Sequence, residues 1–161
     1  SGTEAAFVAA EPALQAMAAT VHRLGNEAGA GSAMKSVNQL LAGVHIAAMG
    51  EALTLGISQG LPVDRMIDVI SQSAGTSWMF ENRAPHVRGA ACSPRSLIII
   101  WPKDLGIVPD IARSAGLDVP ITQTALAQYN KAVEAGRGQE DDAAIIKPYA
   151  AAAGLKLPGD A

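Results

Sequence analysis

The sequence predicts an all-α protein, and its composition and its pattern of glycine and proline lead to that prediction. Hydrophobic residues make up 49% of the 161 residues, but only 4% are aromatic. Much of the apolar content is therefore alanine, the best helix former. Glycine and proline separate the apolar stretches at intervals typical of helix ends. A chain of this length can bury one hydrophobic core without disulfides or metals.

The first 25 residues are predicted to differ from the rest. An alanine-rich stretch at residues 4–19 indicates a helix, and a short apolar run at residues 20–24 indicates a strand that ends at Gly25. A strand leaves its backbone polar groups unpaired unless a sheet lies beside it. We therefore interpret residues 1–25 as the last helix and strand of a preceding sheet domain that is absent from this chain.

Residues 26–161 are predicted to form a helical domain around one long helix. That helix, over about residues 32–59, would be roughly 42 Å long. Its middle is apolar on nearly every side, so we expect shorter helices to surround it. These shorter helices are predicted at residues 63–74, 102–115 and 122–135, together with a short one that Thr76 and Ser77 can cap and that reaches Arg83. A last one is capped by Asp141 or Asp142 and kinked or shortened by Pro148.

Charge and cysteine content exclude several classes of protein. The net charge is −3 and no basic run occurs, so nothing indicates a nucleic-acid partner or an acidic membrane surface. Cys92 is the single cysteine, which excludes an internal disulfide and fits a reducing cytoplasm. No cluster has the spacing of metal ligands. Residues 40–57 carry His45 and Glu51, so we favour a buried helix with satisfied polar groups over a membrane span.

The glycine-rich stretch at residues 29–35 lacks both of the phosphate-binding motifs that it superficially suggests. A dinucleotide fingerprint needs a third glycine where Met34 stands, so that helix and strand can pack closely. A P-loop needs glycine directly before its lysine, and here Met34 precedes Lys35. This stretch therefore predicts no phosphate cradle by itself.

Lys35, Asn38 and Gln39 follow on one face of the long helix, because residues three and four apart are neighbours on a helix surface. An amine that moves a proton and two amides that orient hydroxyl and carboxylate groups would suit a small, oxygen-rich molecule. The alternative is a surface lysine with two polar neighbours, and spacing alone favours it.

Four segments of the chain carry a family resemblance. They are residues 29–39, Gln-Leu-Leu-Ala-Gly-Val-His-Ile-Ala-Ala at 39–48, Ser-Trp-Met-Phe-Glu-Asn-Arg at 77–83, and Lys-Asp-Leu-Gly at 103–106. In this order they resemble the β-hydroxyacid dehydrogenases, a family that includes 3-hydroxyisobutyrate dehydrogenase and 6-phosphogluconate dehydrogenase. The runs at 39–48, 77–83 and 140–147 resemble in particular the branch of the family that acts on L-threonate.

The resemblance implies both a fold and an activity. The chain would be the C-terminal helical domain of the 6-phosphogluconate dehydrogenase-like type, which helps to form a homodimer or a larger homo-oligomer. An upstream domain would bind most of the NAD or NADP. The complete enzyme would oxidise a short hydroxyacid by hydride transfer, whereas this chain alone would be inactive. A non-catalytic domain for dimerisation or small-acid binding is the alternative.

The resemblance also assigns roles to individual residues. Lys35 matches the catalytic lysine, which takes the hydroxyl proton. Gln39 stands where most family members carry an asparagine that holds the substrate, and Asn38 stands where sugar-acid members often carry histidine. Lys103 matches a lysine on the nicotinamide side of the cleft. We expect Asp104 to stabilise the start of its helix.

Three further residues have two open interpretations. Trp78, Asn82 and Arg83 could line the substrate end of the cleft or reach a neighbouring subunit. A role in packing fits them equally well.

Overall fold

The computed structural model describes residues 1–89 and 94–159, and within these ranges it contains helices and no strand. The all-α prediction is therefore confirmed for the described chain. Its contacts divide it into two compact units, Ser1–Asn38 and Gln39–Ala161. The elements are α1 (Glu4–Met17), α2 (Ala30–Ser58), α3 (Val63–Ile70), α4 (Trp78–Arg83), a 3₁₀ helix (Ala84–Arg88), α5 (Ile100–Ser114), α6 (Pro120–Glu134), a second 3₁₀ helix (Asp142–Ile145) and α7 (Ile146–Ala152).

The first unit contains α1 and the segment that follows it. The hydroxyl of Thr3 caps α1 by accepting a hydrogen bond from the backbone N–H of Ala6 at 3.2 Å. Arg23 folds back onto α1, where it pairs with Glu4 at 2.8 Å and lies over the ring of Phe7. The predicted strand at residues 20–24 is wrong: these residues form no strand, because no neighbouring strand lies in the described chain to pair with them. The assignment of residues 1–25 to a separate domain stays a prediction.

Helix α2 is the long helix that the sequence predicts, and glycines let its neighbours in the second unit approach closely. A Cβ atom on Gly43 would come within 2.8 Å of Leu105 and 2.9 Å of Trp101, both on α5. A Cβ atom on Gly56 would overlap Met66 of α3. Glycine at these positions therefore allows α3 and α5 to pack against the backbone of α2.

The expectation that other helices surround α2 on every side is wrong. Glu51, predicted to be a core polar group, is exposed. Of the most apolar 18-residue window in α2, 44% is buried. By length and composition alone this helix could cross a membrane, but the core helix of a soluble protein passes the same test. In the part of α2 that belongs to the second unit, the exposed apolar residues lie on one stripe: Leu41, Ala48, Ala52 and Leu55.

Caps predicted for two of the shorter helices are present, although the bounds of other helices differ from the predicted bounds. Ser77 caps α4 as predicted, its hydroxyl accepting from the N–H of Phe80 at 3.0 Å. Asp141 caps the second 3₁₀ helix. Helix α5 begins at Ile100, two residues before the predicted start at Pro102. Proline is tolerated there because an N–H in the first turn has no partner within the helix.

The core of the second unit is centred on Tyr129 of α6. Its ring stacks on Trp101 of α5 with 5.6 Å between the ring centroids. Its hydroxyl donates a 2.9 Å hydrogen bond to the backbone carbonyl of Gly43 on α2. Tyr129 therefore connects α2, α5 and α6 by one stacked ring and one buried hydrogen bond. Other large apolar side chains with no exposed surface are those of Ile46, Leu53, Ile98, Leu105 and Ile145.

Candidate functional site

Lys35 and Asn38 belong to the first unit and lie on the first turns of α2. Gly29 precedes the helix with a φ of +103°, a conformation that glycine adopts without strain. Its carbonyl accepts the N–H of Ala33 at 2.9 Å and so starts the helical hydrogen bonding. Lys35 and Asn38 are both exposed, and their spacing of three places them on one helix face.

Gln39 and Lys103, which belong to the second unit, meet at one carboxylate, that of Asp104. The amide Nε2 of Gln39 donates to Oδ2 of Asp104 at 2.6 Å, and Nζ of Lys103 lies 3.3 Å from Oδ1. We call these three residues the Asp104 cluster. The Asp104 side chain is 18% exposed, whereas that of Lys103 is 77% exposed. The structure thus brings together the predicted substrate amide on α2 and the predicted cofactor lysine on α5.

The expectation for Asp104 itself is wrong. The residue does not cap its helix, because α5 begins at Ile100 and has no side-chain cap at Ile99. Its carboxylate instead contacts α2 through Gln39, 65 positions earlier in the sequence. The one sequence signal that could have indicated this role is its place beside Lys103 in the Lys-Asp-Leu-Gly run.

A second aspartate, Asp142, has no exposed surface and forms a cluster that sequence analysis did not predict. Its Oδ1 accepts from Nε of Arg83 at 2.7 Å, and its Oδ2 accepts from the indole N–H of Trp101 at 3.2 Å. Arg83 in turn donates to the side-chain carbonyl of Asn82. We call these four residues the Asp142 cluster. Burial raises the pKa of Asp142 although Arg83 opposes this shift.

The Asp142 cluster decides between the two interpretations of Arg83. With 8% of its surface exposed and its guanidinium on Asp142, Arg83 packs in the core of the second unit. Asn82 shares this role through its contact with Arg83. Trp78 differs, since it is 70% exposed on α4.

The second unit also contains a cavity of about 380 Å³ beside the second 3₁₀ helix. His86 lies on its wall with Nδ1 3.0 Å from Oδ2 of Asp141, and Lys147 pairs with Glu140 at 2.6 Å. Its lining residues do not include the Asp104 cluster. Each of these polar groups pairs with another on the wall, so we assign this cavity no role in the predicted chemistry.

Metal ligands and cysteine thiols are two further kinds of reactive group. Within residues 1–89 and 94–159, no three His, Cys, Asp or Glu side chains are grouped so that they could hold a metal ion. Cys92, which the sequence does not indicate to be reactive, lies outside the described residues.

Comparison with known proteins settles the family. Residues 29–149 match the family described as the NAD-binding domain of NADP-dependent 3-hydroxyisobutyrate dehydrogenase. The chain belongs to this family. The match covers α2 and most of the second unit, including the Asp104 and Asp142 clusters, and it confirms the family resemblance of the sequence.

Relatives in the 3-hydroxyisobutyrate dehydrogenase family include L-threonate dehydrogenases. The chain is 48% identical to that of Cupriavidus necator over 161 residues, which is all of this chain and 53% of the relative. It is 46% identical to that of Escherichia coli K12 over 159 residues, which is 99% of this chain and 52% of the relative. The chain therefore spans about half the length of the curated relatives that it matches.

A solved structure supports the same fold. The crystal structure of a 3-hydroxyisobutyrate dehydrogenase from Salmonella typhimurium superposes with a TM-score of 0.84 at 47% identity, covering 91% of this chain and 52% of that one. A 3-hydroxyisobutyrate dehydrogenase from Mycobacterium tuberculosis superposes with a TM-score of 0.80 at 27% identity, covering 92% of this chain and 53% of that one. The helical arrangement is thus one that members of the family share.

Proposed function

We propose that this chain is the lysine-bearing, C-terminal part of an NAD- or NADP-dependent dehydrogenase that oxidises a short hydroxyacid similar to L-threonate. The observation that carries the proposal is the 46–48% identity to L-threonate dehydrogenases along essentially the whole chain. The competing role, a non-catalytic domain for dimerisation or small-acid binding, is not favoured because these relatives are enzymes.

The residues of the second unit suit one part of a nicotinamide dinucleotide. Lys103 presents an exposed ammonium beside Asp104, and an ammonium is a common partner of phosphate or carboxamide oxygens. The chain carries no dinucleotide fingerprint. We therefore expect Lys103 to contact the cofactor while most of the dinucleotide is bound by residues outside this chain. When bound, the oxidised cofactor supplies the hydride acceptor for the reaction.

The proposed chemistry of this chain is proton transfer and substrate orientation. Lys35, as a neutral amine, takes the proton of the substrate hydroxyl at Nζ. The O–H electron pair then forms the carbonyl bond, and hydride leaves the same carbon. Asn38 and Gln39 orient the hydroxyl and carboxylate groups of the acid. An ammonium has no lone pair with which to accept a proton, so this step requires the neutral form of the lysine side chain.

The test is a fusion in which the part of the E. coli K12 L-threonate dehydrogenase that this chain does not match precedes this chain. We expect the fusion to oxidise L-threonate and the 161-residue chain alone to produce no NADH or NADPH. Lys35→Met should lower turnover of the fusion by about 10²–10⁴-fold, the usual contribution of a general acid or base.

Lys131→Met, on the exposed side of α6, is the matched control and should leave turnover unchanged. Normal turnover of Lys35→Met between pH 6 and 9 would refute the catalytic role of Lys35. Cofactor reduction by the 161-residue chain alone would refute the need for an upstream domain.

We also propose that the protein forms a homodimer or a larger homo-oligomer. Large apolar side chains stay exposed in both units, among them Met34, Val37, Leu41, Leu55 and Trp78. Exposed apolar side chains of this size are candidates for burial by association. Light scattering that finds only monomer across a wide concentration range would contradict this proposal.

A further inference from the structure

The two oxygens of Asp104 receive different donors. Oδ2 accepts the Gln39 amide at 2.6 Å, and Oδ1 faces the Lys103 ammonium at 3.3 Å. A hydrogen bond to an ionised carboxylate is shorter and stronger than one between neutral groups, which fits the 2.6 Å distance. Asp104 is therefore held between α2 and a cation of its own helix.

This contact selects one orientation of the Gln39 amide. A glutamine amide carries a donor end, the NH₂ group, and an acceptor end, the carbonyl oxygen. An ionised carboxylate can only accept hydrogen bonds. The NH₂ group must therefore face Asp104, and the carbonyl oxygen Oε1 takes the other position. A flip of the amide would place Oε1 against the carboxylate and replace an attraction by a repulsion.

We propose that Asp104 is a positioning residue that makes Gln39 recognise a hydrogen-bond donor on the substrate, a hydroxyl other than the one that is oxidised. The inference rests on the proposed function and names the feature of the substrate that Gln39 selects. A carbonyl oxygen has two lone pairs, so Oε1 can accept a substrate hydroxyl in addition to another contact. The site then prefers acids with several hydroxyl groups over acids with one.

A purely structural role for Asp104 is disfavoured by its surroundings. The carboxylate does not cap α5, and it remains partly exposed. The second unit already has a buried aspartate, Asp142, that connects its elements through Arg83 and Trp101. Asp104 instead joins the two residues that resemble the substrate and cofactor contacts of the family.

The first experiment measures the amide of Gln39 directly in the 161-residue chain. In ¹⁵N-labelled protein, we expect Asp104→Asn to move the side-chain NH₂ resonances of Gln39, because asparagine presents both a donor and an acceptor. Asp110→Asn is the matched control: it lies on the same helix and pairs with Arg113 on the surface at 3.0 Å. Unchanged Gln39 resonances in Asp104→Asn would overturn the positioning role.

The second experiment measures substrate selection in the fusion enzyme. L-Threonate is compared with 2-hydroxybutanoate, a four-carbon acid with one hydroxyl. We expect Asp104→Asn to lower kcat/KM for L-threonate by about tenfold to a hundredfold, mainly by raising KM. A change of this size corresponds to the loss of one hydrogen bond to a charged or oriented group. For 2-hydroxybutanoate, which has no second hydroxyl for Gln39 to bind, kcat/KM should change less than about threefold. An equal loss for both acids would overturn the inference.

A double replacement tests the orientation argument without changing the net charge. In Gln39→Glu with Asp104→Asn, the asparagine amide donates to the new carboxylate, which still presents an oxygen acceptor to the substrate. We expect this pair to recover part of the selectivity that Asp104→Asn loses, and no recovery would count against the orientation argument. If Lys35→Met is inactive while selectivity survives Asp104→Asn, only the positioning role fails. If Lys35→Met is fully active, the proposed function itself fails.

Discussion

The two aspartate clusters of the second unit use the same chemistry in different surroundings. Asp104 and Asp142 each accept hydrogen bonds from one neutral N–H group and face one cation. Asp142 has no exposed surface and its cation is the buried Arg83, whereas Asp104 is 18% exposed and its cation is the exposed Lys103.

The difference indicates what each cluster does. A buried charge lowers the stability of the folded state unless its partners stay in place. Loss of one member of the Asp142 cluster should therefore destabilise the core. A partly exposed carboxylate with an exposed cation contributes little to stability. The Asp104 carboxylate can therefore serve to orient a neighbouring group, the Gln39 amide, with little effect on stability. The stability of the protein should therefore depend on Asp142, and its substrate selectivity on Asp104.

The largest expected effect is on the Asp142 cluster. Asp142→Ala leaves the guanidinium of Arg83 buried without its carboxylate, which should lower the free energy of unfolding by about 3–5 kcal/mol. Urea denaturation followed by circular dichroism measures this change. A loss below about 1 kcal/mol, the median for surface pairs, would show that the cluster is not a buried ion pair in solution.

Gly43 lies beside the Asp142 cluster, since a Cβ atom added to it would meet Trp101 as well as Leu105. Gly43→Ala gains up to about 1 kcal/mol of helix propensity but should cost about 1–3 kcal/mol by overpacking against two buried side chains. We expect a net destabilisation of up to about 2 kcal/mol from these terms in thermal or urea unfolding.

Gly106→Ala on α5 is the control for this substitution, because nothing lies within 4 Å of its added Cβ atom. It should stabilise the protein by about 0.5–1 kcal/mol. If both alanine variants were stabilised alike, the close approach of α2 and α5 would be wrong.

A smaller effect is expected when Asp104→Asn is measured for stability rather than for selectivity. Its free energy of unfolding should change by less than about 1 kcal/mol, because the group is partly exposed and its cation is on the surface. The same urea titration as for Asp142→Ala makes the two directly comparable. A loss as large as that of Asp142→Ala would remove the distinction between the two clusters.

A separate effect, outside the two clusters, concerns stability at alkaline pH. Burial, with the charge of Glu51, raises the pKa of Tyr149 to about 12. The unfolded chain releases this proton near pH 10 while the folded protein keeps it, so stability falls as pH rises from about 10 to 12. Tyr149→Phe removes this contribution and should weaken the pH dependence in that window. Parallel stability curves for wild type and variant would contradict the assignment.

Local sequence signals predicted much of the secondary structure. The apolar stretch of α2, the Ser77 cap of α4 and the aspartate cap near residue 141 depend on residues within a few positions of one another. Where prediction was wrong, a distant partner decided the outcome. The strand at residues 20–24 needed a neighbour, and the burial of Glu51 depended on which helices pack against α2.

The sequence by itself determined the helical class, the family and the candidates Lys35, Asn38, Gln39 and Lys103, because these depend on composition, local spacing and similarity. Only the tertiary structure decided that Asp104 accepts the side-chain amide of Gln39 and that Asp142 pairs with Arg83. These pairs are separated by 65 and 59 positions. Hydrogen bonds across such separations depend on how helices pack, and helix packing is set by side-chain shape over the whole core rather than by any local pattern.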